Sequence, residues 1–199
     1  MEILFENSDL AVIVKPVGID SEKELPEKLC ETLGGNFFTV HRLDMNVGGV
    51  MVYARNKKSA ADLSRAITEG KMIKEYLALV HGAPDEKGVF EDLLFKDSSK
   101  NKVFVVKRER KGVKRARLEY TRLIASDTSL VRIKLDTGRS HQIRVQFASR
   151  GFPLVGDRKY GAKDKATAPM LYSTRLTFPY KSDTLTFESI PEWVKAEDK

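Results

Sequence analysis

Short apolar segments separated by turn residues are the feature that most constrains the fold of this chain. Leu10–Val14 is a compact apolar run that stops at Lys15-Pro16-Val17-Gly18, which is typical of a strand ending in a turn. Val131, Ile133 and Leu135 alternate with basic residues, the pattern of a half-buried antiparallel strand. Similar segments recur in hairpin-like succession at about 48–55, 72–80, 103–106, 117–124, 171–178 and 184–187.

Helical patterns are fewer than strand patterns. Asn56 can cap a helix that stops at Gly70, and its apolar face carries Ala60, Leu63, Ala66 and Ile67. A short helix is expected within 20–36 and another over about 140–150. Because strands outnumber helices, the sequence predicts an α+β fold with a mixed, mostly antiparallel sheet flanked by helices and loops. With 199 residues the chain can bury one core, and we predict a single domain over 1–199.

Composition argues against several classes of protein. No apolar run approaches the roughly 18 residues that span a bilayer. The N-terminus, Met1–Asn7, lacks the basic and apolar regions of a secretory signal, so we expect a cytoplasmic protein. Three histidines far apart in sequence and one cysteine argue against a zinc site.

The basic charge is concentrated in one segment. The net charge is +7, and Lys107–Arg117 contains seven basic residues and one acid. A solvated hairpin tip is one interpretation. Strand-like flanks and a turn at Gly112 predict a basic hairpin that projects towards phosphates, with nucleic acid favoured over a membrane because no amphipathic helical face is present. The candidate contact residues are Lys107, Arg108, Arg110, Lys111, Lys114 and Arg115.

Asp44 is the leading candidate for chemistry. It follows an Arg-Leu pair at the mouth of the apolar strand Gly49–Tyr53. It either caps a turn or acts as a covalent nucleophile. Arg144 opens a predicted helix and could meet the carboxylate, which would lower the Asp44 pKa by roughly 1–3 units and keep it anionic. A structural ion pair would look identical in sequence.

Other candidates each carry a structural interpretation as well. Tyr76 is either a core aromatic on a strand or a flat face against which a nucleobase stacks. His41 and His141 are more often hydrogen-bonded structural groups than acids or bases. The segment Gly156–Gly161 is, by itself, a turn with an aromatic plug.

These segments together resemble the RluA-type RNA pseudouridine synthases over nearly the whole chain. HRLD at 41–44 and GRSHQIRV at 138–145 are long, widely separated motifs, and they indicate the RluA branch instead of the related RsuA branch. Further matches occur at Ile3–Asn7, Val14–Gly18, Lys74–Tyr76, Pro153–Asp157 and Pro191–Trp193. The resemblance implies the pseudouridine synthase fold and the isomerisation of uridine to pseudouridine in a structured RNA loop, without cofactor or metal.

The resemblance also implies roles for individual residues. Asp44 would be the nucleophile, Tyr76 would stack on the flipped uracil and help to remove the C5 proton, and Arg144 would pair with Asp44. Attack at C1′ and attack at C6 both remain open. The remaining residues would hold the loop, contact the RNA or line the uracil pocket; they are His41, Arg42, Arg139, His141 and Leu171.

The chain departs from the family pattern at Asn46-Val47-Gly48-Gly49, where Thr-Ser-Gly is usual, at Gln146 and at Tyr172. We also expect no S4 domain of the kind that many relatives carry, which would give the basic segment more importance. We expect a monomer that binds rRNA or tRNA stem-loops, but neither DNA nor a membrane. The alternative is a catalytically silent RNA-binding or RNA-folding protein. A glycoside hydrolase ranks last, because no second carboxylate stands in a comparable motif.

Overall fold

The computed structural model describes residues 1–195, and the chain divides into two compact units. Unit 1 comprises residues 1–74 and the chain from Tyr172 onwards, and unit 2 comprises Glu75–Leu171. The strands are β1 (Glu2–Glu6), β2 (Leu10–Lys15), β3 (Phe38–Thr39), β4 (Gly48–Ala54), β5 (Ile73–His81), β6 (Lys87–Asp97), β7 (Lys102–Val106), β8 (Val113–Ile124), β9 (Thr128–Leu135), β10 (Leu171–Tyr180) and β11 (Asp183–Glu188). The helices are α1 (Glu24–Leu33), α2 (Lys57–Thr68), α3 (Gln142–Ala148) and α4 (Glu192–Lys195), with a 3-10 turn at Arg158–Tyr160.

The sheet of unit 1 is centred on β4. Its strands run in the order β1-β2-β4-β10, while β3 pairs with β4 and β11 pairs with β10. The β2–β4 pair is antiparallel, and the β4–β10 pair is parallel, with Gly48 opposite Tyr172. Every residue of β4 is buried, which explains its continuous apolar sequence.

Helix α2 forms where its cap and apolar periodicity predict. The Asn56 side chain accepts a hydrogen bond from the Ser59 N–H at 2.9 Å, which satisfies one of the donors at the helix start. Leu63 is buried in the core with strand residues from β2, β4 and β10, among them Val12, Val52 and Phe178.

Unit 2 is built on a second run of strands in the order β5-β9-β8-β6-β7. The β9–β8, β8–β6 and β6–β7 pairs are antiparallel. Helix α3 is buried along nearly all of its length, with Val145 packed on Leu94, Val103 and Ala116. Phe147 contacts the rings of Phe90 and Tyr120. This dense packing fixes the helix that carries Arg144.

The α+β class and the mixed, mostly antiparallel pairing are confirmed. Three strands, β1, β3 and β6, were absent from the sequence prediction. β6 interleaves charged residues with Leu94 and Phe90 and has few buried positions, so its pattern is weak. The single-domain prediction stays a prediction.

Candidate active site

Asp44 lies in unit 1 on the loop that enters β4, and hydrogen bonds fix the backbone on both sides of it. Ser21 Oγ donates to the Leu43 carbonyl at 2.9 Å. The Val47 N–H donates to the Asp44 carbonyl at 2.9 Å, which closes a turn. Asp44 itself is half-buried. These bonds fix the backbone from which the carboxylate projects, and covalent catalysis requires a nucleophile on a rigid support.

Lys15, the last residue of β2, holds the Asp44 loop through hydrogen bonds. Its Nζ donates to the carbonyls of Pro16, Met45 and Val47 at 2.9, 3.0 and 3.0 Å. Lys15 is fully buried, and this burial lowers its pKa to about 8 although nearby carboxylates, Asp44 among them, act to raise it. Sequence reasoning treated Lys15 only as the end of a strand. A lysine directly after a buried apolar run is the signal that could have found it.

His41 is buried in the same unit. The Val52 N–H donates to its Nε2 at 3.1 Å, so this nitrogen carries no proton. Burial, with a smaller effect from Lys74, places the His41 pKa well below its usual value. The ring is therefore neutral and links the HRLD loop to β4. Its predicted contact with RNA stays a prediction.

Arg42 is exposed and forms an ion pair with Glu22 at 3.0 Å. The side chains of Arg42 and Glu22 are 46% and 51% exposed, so the pair contributes at most about 1 kcal/mol. The predicted contact of Arg42 with the RNA stays a prediction.

Arg144 lies in unit 2 and has a buried partner that the sequence did not predict. Its Nε and Nη2 donate to Asp157 Oδ2 and Oδ1 at 2.7 and 2.8 Å. Both residues are buried, and this bidentate geometry fixes the plane of the guanidinium. The Gly-Asp-x-x-Tyr-Gly segment is therefore more than a turn. The predicted Asp44–Arg144 pair stays a prediction.

Tyr160 and His141 complete the surroundings of Arg144. The Tyr160 ring centroid lies 5.3 Å from the Arg144 guanidinium carbon, a cation–π distance. The Tyr160 hydroxyl accepts from the Val103 N–H at 2.9 Å and lies 2.9 Å from His141 Nδ1. His141 has φ of 49°, a left-handed conformation that is strained for a residue other than glycine. His141 is thus placed to hold Tyr160 against the guanidinium.

The approach to α3 is held by Gln142. Its Oε1 accepts from Thr137 Oγ1 and from the Arg139 N–H at 2.8 and 3.0 Å, and its Nε2 donates to the Arg117 carbonyl at 3.0 Å. The exposed Arg139 side chain donates from Nε to the Arg115 carbonyl at 3.0 Å. The GRSHQIR segment is in this way tied to β8, where the basic segment ends.

The basic segment is not a hairpin, so that prediction is wrong. β6 lies between β7 and β8 and pairs with both, so 107–112 is a connection that crosses β6, from Val106 opposite Leu93 to Val113 opposite Phe95. Local sequence cannot show which strand lies between two others. The exposure was predicted correctly, since all six candidate residues are exposed: Lys107, Arg108, Arg110, Lys111, Lys114 and Arg115. Arg110 lies over the Phe95 ring at 4.5 Å, and Arg115 pairs with Glu109 at 2.7 Å.

Tyr76 lies on β5 and Leu171 begins β10, and both are buried. Burial agrees equally with a core position and with the wall of a base-binding pocket. Their predicted roles in stacking and in lining the pocket stay predictions.

The three departures from the family pattern have visible local roles. Gly49 has φ of 121°, and a Cβ there would lie 2.2 Å from the Ser173 carbonyl oxygen, so glycine is required. Gln146 Nε2 donates to Asp92 at 2.7 Å and links α3 to β6. The Tyr172 hydroxyl lies 2.8 Å from Ser189 Oγ.

No described helix is both long enough and apolar enough to cross a membrane. Residues 1–195 contain no group of three or more His, Cys, Asp or Glu side chains placed to hold a metal ion.

Comparison with known proteins identifies the family. The family model described as "RNA pseudouridylate synthase" matches residues 9–149. An uncharacterized RNA pseudouridine synthase of Aquifex aeolicus is 33% identical over 189 residues, covering 87% of this chain and 60% of the relative's length. The dual-specificity RNA pseudouridine synthase RluA of Escherichia coli is 31% identical over 200 residues, covering 94% of this chain and 91% of RluA. Human RNA pseudouridylate synthase domain containing 1 shares the fold, with a TM-score of 0.84 at 24% identity over 98% of this chain and 85% of the human chain.

The chain belongs to the RNA pseudouridine synthase family, whose members are RNA isomerases. The similarity to RluA confirms the branch that the HRLD and GRSHQIR motifs predicted. The chain spans about three fifths of the Aquifex relative and nine tenths of RluA.

Proposed function

We propose that this protein converts uridine to pseudouridine in stem-loops of rRNA or tRNA, as a cytoplasmic monomer without a cofactor. The observation that carries the proposal is the position of Asp44 on a loop that Lys15 and Ser21 hold through backbone carbonyls. A capping aspartate has no need of such a rigid support. A nucleophile does, because it must reach one atom of a bound nucleotide.

The reaction assigns a task to each of three side chains. Asp44 attacks either C1′ of the ribose or C6 of the uracil, and the N1–C1′ bond breaks. The base rotates while Tyr76 holds it by stacking, and a new bond joins C5 to C1′. The bond to Asp44 then breaks, which restores the free carboxylate. The proton lost from C5 is balanced by the one gained at N1, so the product is an isomer and no redox partner is required. The third task falls to Arg144, the predicted partner of the Asp44 carboxylate.

RNA binding rests on the exposed basic residues. Phosphate contacts from the 107–115 region supply affinity that does not depend on sequence. The target uridine must leave the stack at a cost of a few kcal/mol, which is smallest in a loop. A loop in rRNA or tRNA is therefore preferred to a DNA duplex, whose bases stay paired.

Incubation with bulk tRNA and rRNA, followed by mapping of new pseudouridines, tests the proposal. The wild-type protein should create pseudouridine at defined positions, and Asp44→Asn should create none while it binds the same RNA with nearly unchanged affinity. RNA binding without product by the wild type would leave the silent RNA-binding protein as the function. Turnover by Asp44→Asn would remove Asp44 as the nucleophile.

A further inference from the structure

Asp164 lies outside every motif discussed so far, on the segment 161–169 of unit 2. Its carboxylate accepts from the Gly156 N–H at 3.0 Å, from the Ala166 N–H at 2.9 Å and lies 2.8 Å from His81 Nε2. The Gly156 contact is the largest cause, and His81 the next, of a pKa for Asp164 lowered to about 2. One carboxylate thus joins three separate segments of the chain.

What Asp164 holds is the turn that presents Asp157. Gly156 has φ of 82°, and a Cβ there would lie 2.0 Å from the Ala168 carbonyl oxygen, so the turn and the 161–169 segment are packed backbone to backbone. Asp157 follows directly and forms the bidentate pair with Arg144. A shift of this turn would move the carboxylate on which the guanidinium plane depends.

The same turn is anchored to β5, the strand that carries Tyr76. The His81 N–H donates to the Pro153 carbonyl, and the Val155 N–H donates to the Leu79 carbonyl, both at 2.9 Å. The His81 side chain then reaches Asp164. The end of β5 and the Gly156–Asp157 turn are therefore fixed to each other through both backbone and side chain.

We propose that Asp164, held by His81, is a positioning residue that fixes the Gly156–Asp157 turn and through it the orientation of Arg144. It touches neither substrate nor reacting atoms. The proposal rests on the proposed function in one respect, since the task of Arg144 in the reaction is part of that function.

The orientation of Arg144 can be observed without activity. The Arg144 Nε–H donates to Asp157, so this proton should exchange slowly with water and give an observable ¹H–¹⁵N NMR signal. The signal is assigned to Arg144 because it should be absent from the spectrum of Arg144→Lys. In Asp164→Ala this signal should shift and exchange faster, and in Asp164→Asn it should do so to a smaller extent. Asp97→Ala is the matched control, because it removes a carboxylate of the same unit that accepts from two backbone N–H groups, those of Ser99 and Lys100, without bonding to α3. It should leave the Arg144 signal unchanged.

The catalytic consequence is measured on the RNA that the wild type modifies. Asp164→Ala should lower kcat by about ten-fold or more while KM stays within about two-fold, because misplaced groups slow the chemical step without weakening phosphate contacts. Asp97→Ala should retain the wild-type kcat. If Asp164→Ala does not fold, His81→Ala removes one of the three contacts of the Asp164 carboxylate. The Arg144 NMR signal and kcat are then measured on that variant.

Each result decides the matter. An Arg144 signal in a folded Asp164 or His81 variant that matches the wild type overturns the proposal. A displaced signal with unchanged kcat in an active enzyme overturns it as well. A displaced signal in a protein whose wild type makes no pseudouridine leaves the positioning intact and refutes only the proposed function.

Discussion

At the scale of single residues, Lys15 shows how a buried charge can serve a neighbouring loop. Burying an ammonium group is costly unless hydrogen bonds replace its water. Here three backbone carbonyls do so, two of them from the loop that follows Asp44. The pKa of about 8, against the usual 10.5, shows that the compensation is incomplete. The residue therefore costs stability at neutral pH in return for a fixed loop.

This cost gives a prediction with a definite sign. Between pH 8 and 10.5 the unfolded Lys15 still binds a proton that the folded form has released, so the free energy of unfolding should rise with pH. The rise attributable to Lys15 should reach about 3 kcal/mol at most. Urea unfolding of wild type and Lys15→Met across this range isolates the contribution, because the variant lacks the titrating group. If the free energy of unfolding rose equally with pH in the two proteins, the rise would not come from Lys15.

The single residues also show what sequence can predict. The HRLD and GRSHQIR motifs were enough to single out Asp44 and Arg144. The pairing of Asp157 with Arg144 was not predicted, because a carboxylate in a turn has many possible partners. Only the packing of the turn beside α3 selects Arg144. Lys15 escaped for a similar reason, since its acceptors are backbone carbonyls, which leave no mark in sequence.

At the scale of elements, the entry to β4 depends on Gly49. A methyl group there would meet the backbone of Ser173 in the parallel partner β10, which no side-chain rotation can relieve. We expect Gly49→Ala to lower the free energy of unfolding by about 3 kcal/mol or more. Gly34→Ala is the control, because Gly34 has φ of 67° but nothing within 4 Å, so it tests backbone strain alone at about 1 kcal/mol. If both variants lost a similar free energy of unfolding, the cost at Gly49 would not come from its close approach to the Ser173 backbone.

The basic connection between β7 and β8 gives an element-scale prediction for binding. Lys107→Gln combined with Arg108→Gln should weaken RNA binding and reduce the salt slope of the binding constant by about 1–2, since each phosphate contact releases counterions. Lys57→Gln combined with Lys58→Gln removes the same charge from exposed positions on α2 and should leave the slope nearly unchanged. Binding is measured by titration of tRNA at several salt concentrations. Equal effects of the two pairs would mean that net charge alone determines affinity.

The elements were predictable where local signals agree. β2 and β4 are continuous apolar runs, and α2 combines a capping Asn56 with an apolar face, so existence and type were correct. β6 was missed because its two paired neighbours, not its own pattern, stabilise it. The basic hairpin was wrong because strand order is a property of the whole sheet.

At the scale of the whole molecule, unit 2 is inserted into unit 1, and the division falls within two strands. β5 begins two residues before Glu75, and β10 begins at Leu171, one residue before unit 1 resumes. The family model also runs across the first division, since it matches residues 9–149. Neither crossing offers a linker at which one unit could unfold alone. We therefore propose that the two units form a single domain.

The single domain predicts one cooperative unfolding transition. Trp193 is the sole tryptophan and lies in unit 1, so its fluorescence reports that unit. Hydrogen exchange at the buried amides of Leu118 and Ile133 reports the strands of unit 2. Both probes should give the same urea midpoint and the same dependence on urea, because a two-state domain exposes all its surface at once. A lower midpoint for unit 2 would mean that the inserted unit unfolds independently, and that Arg144 could lose its place while Asp44 keeps its own.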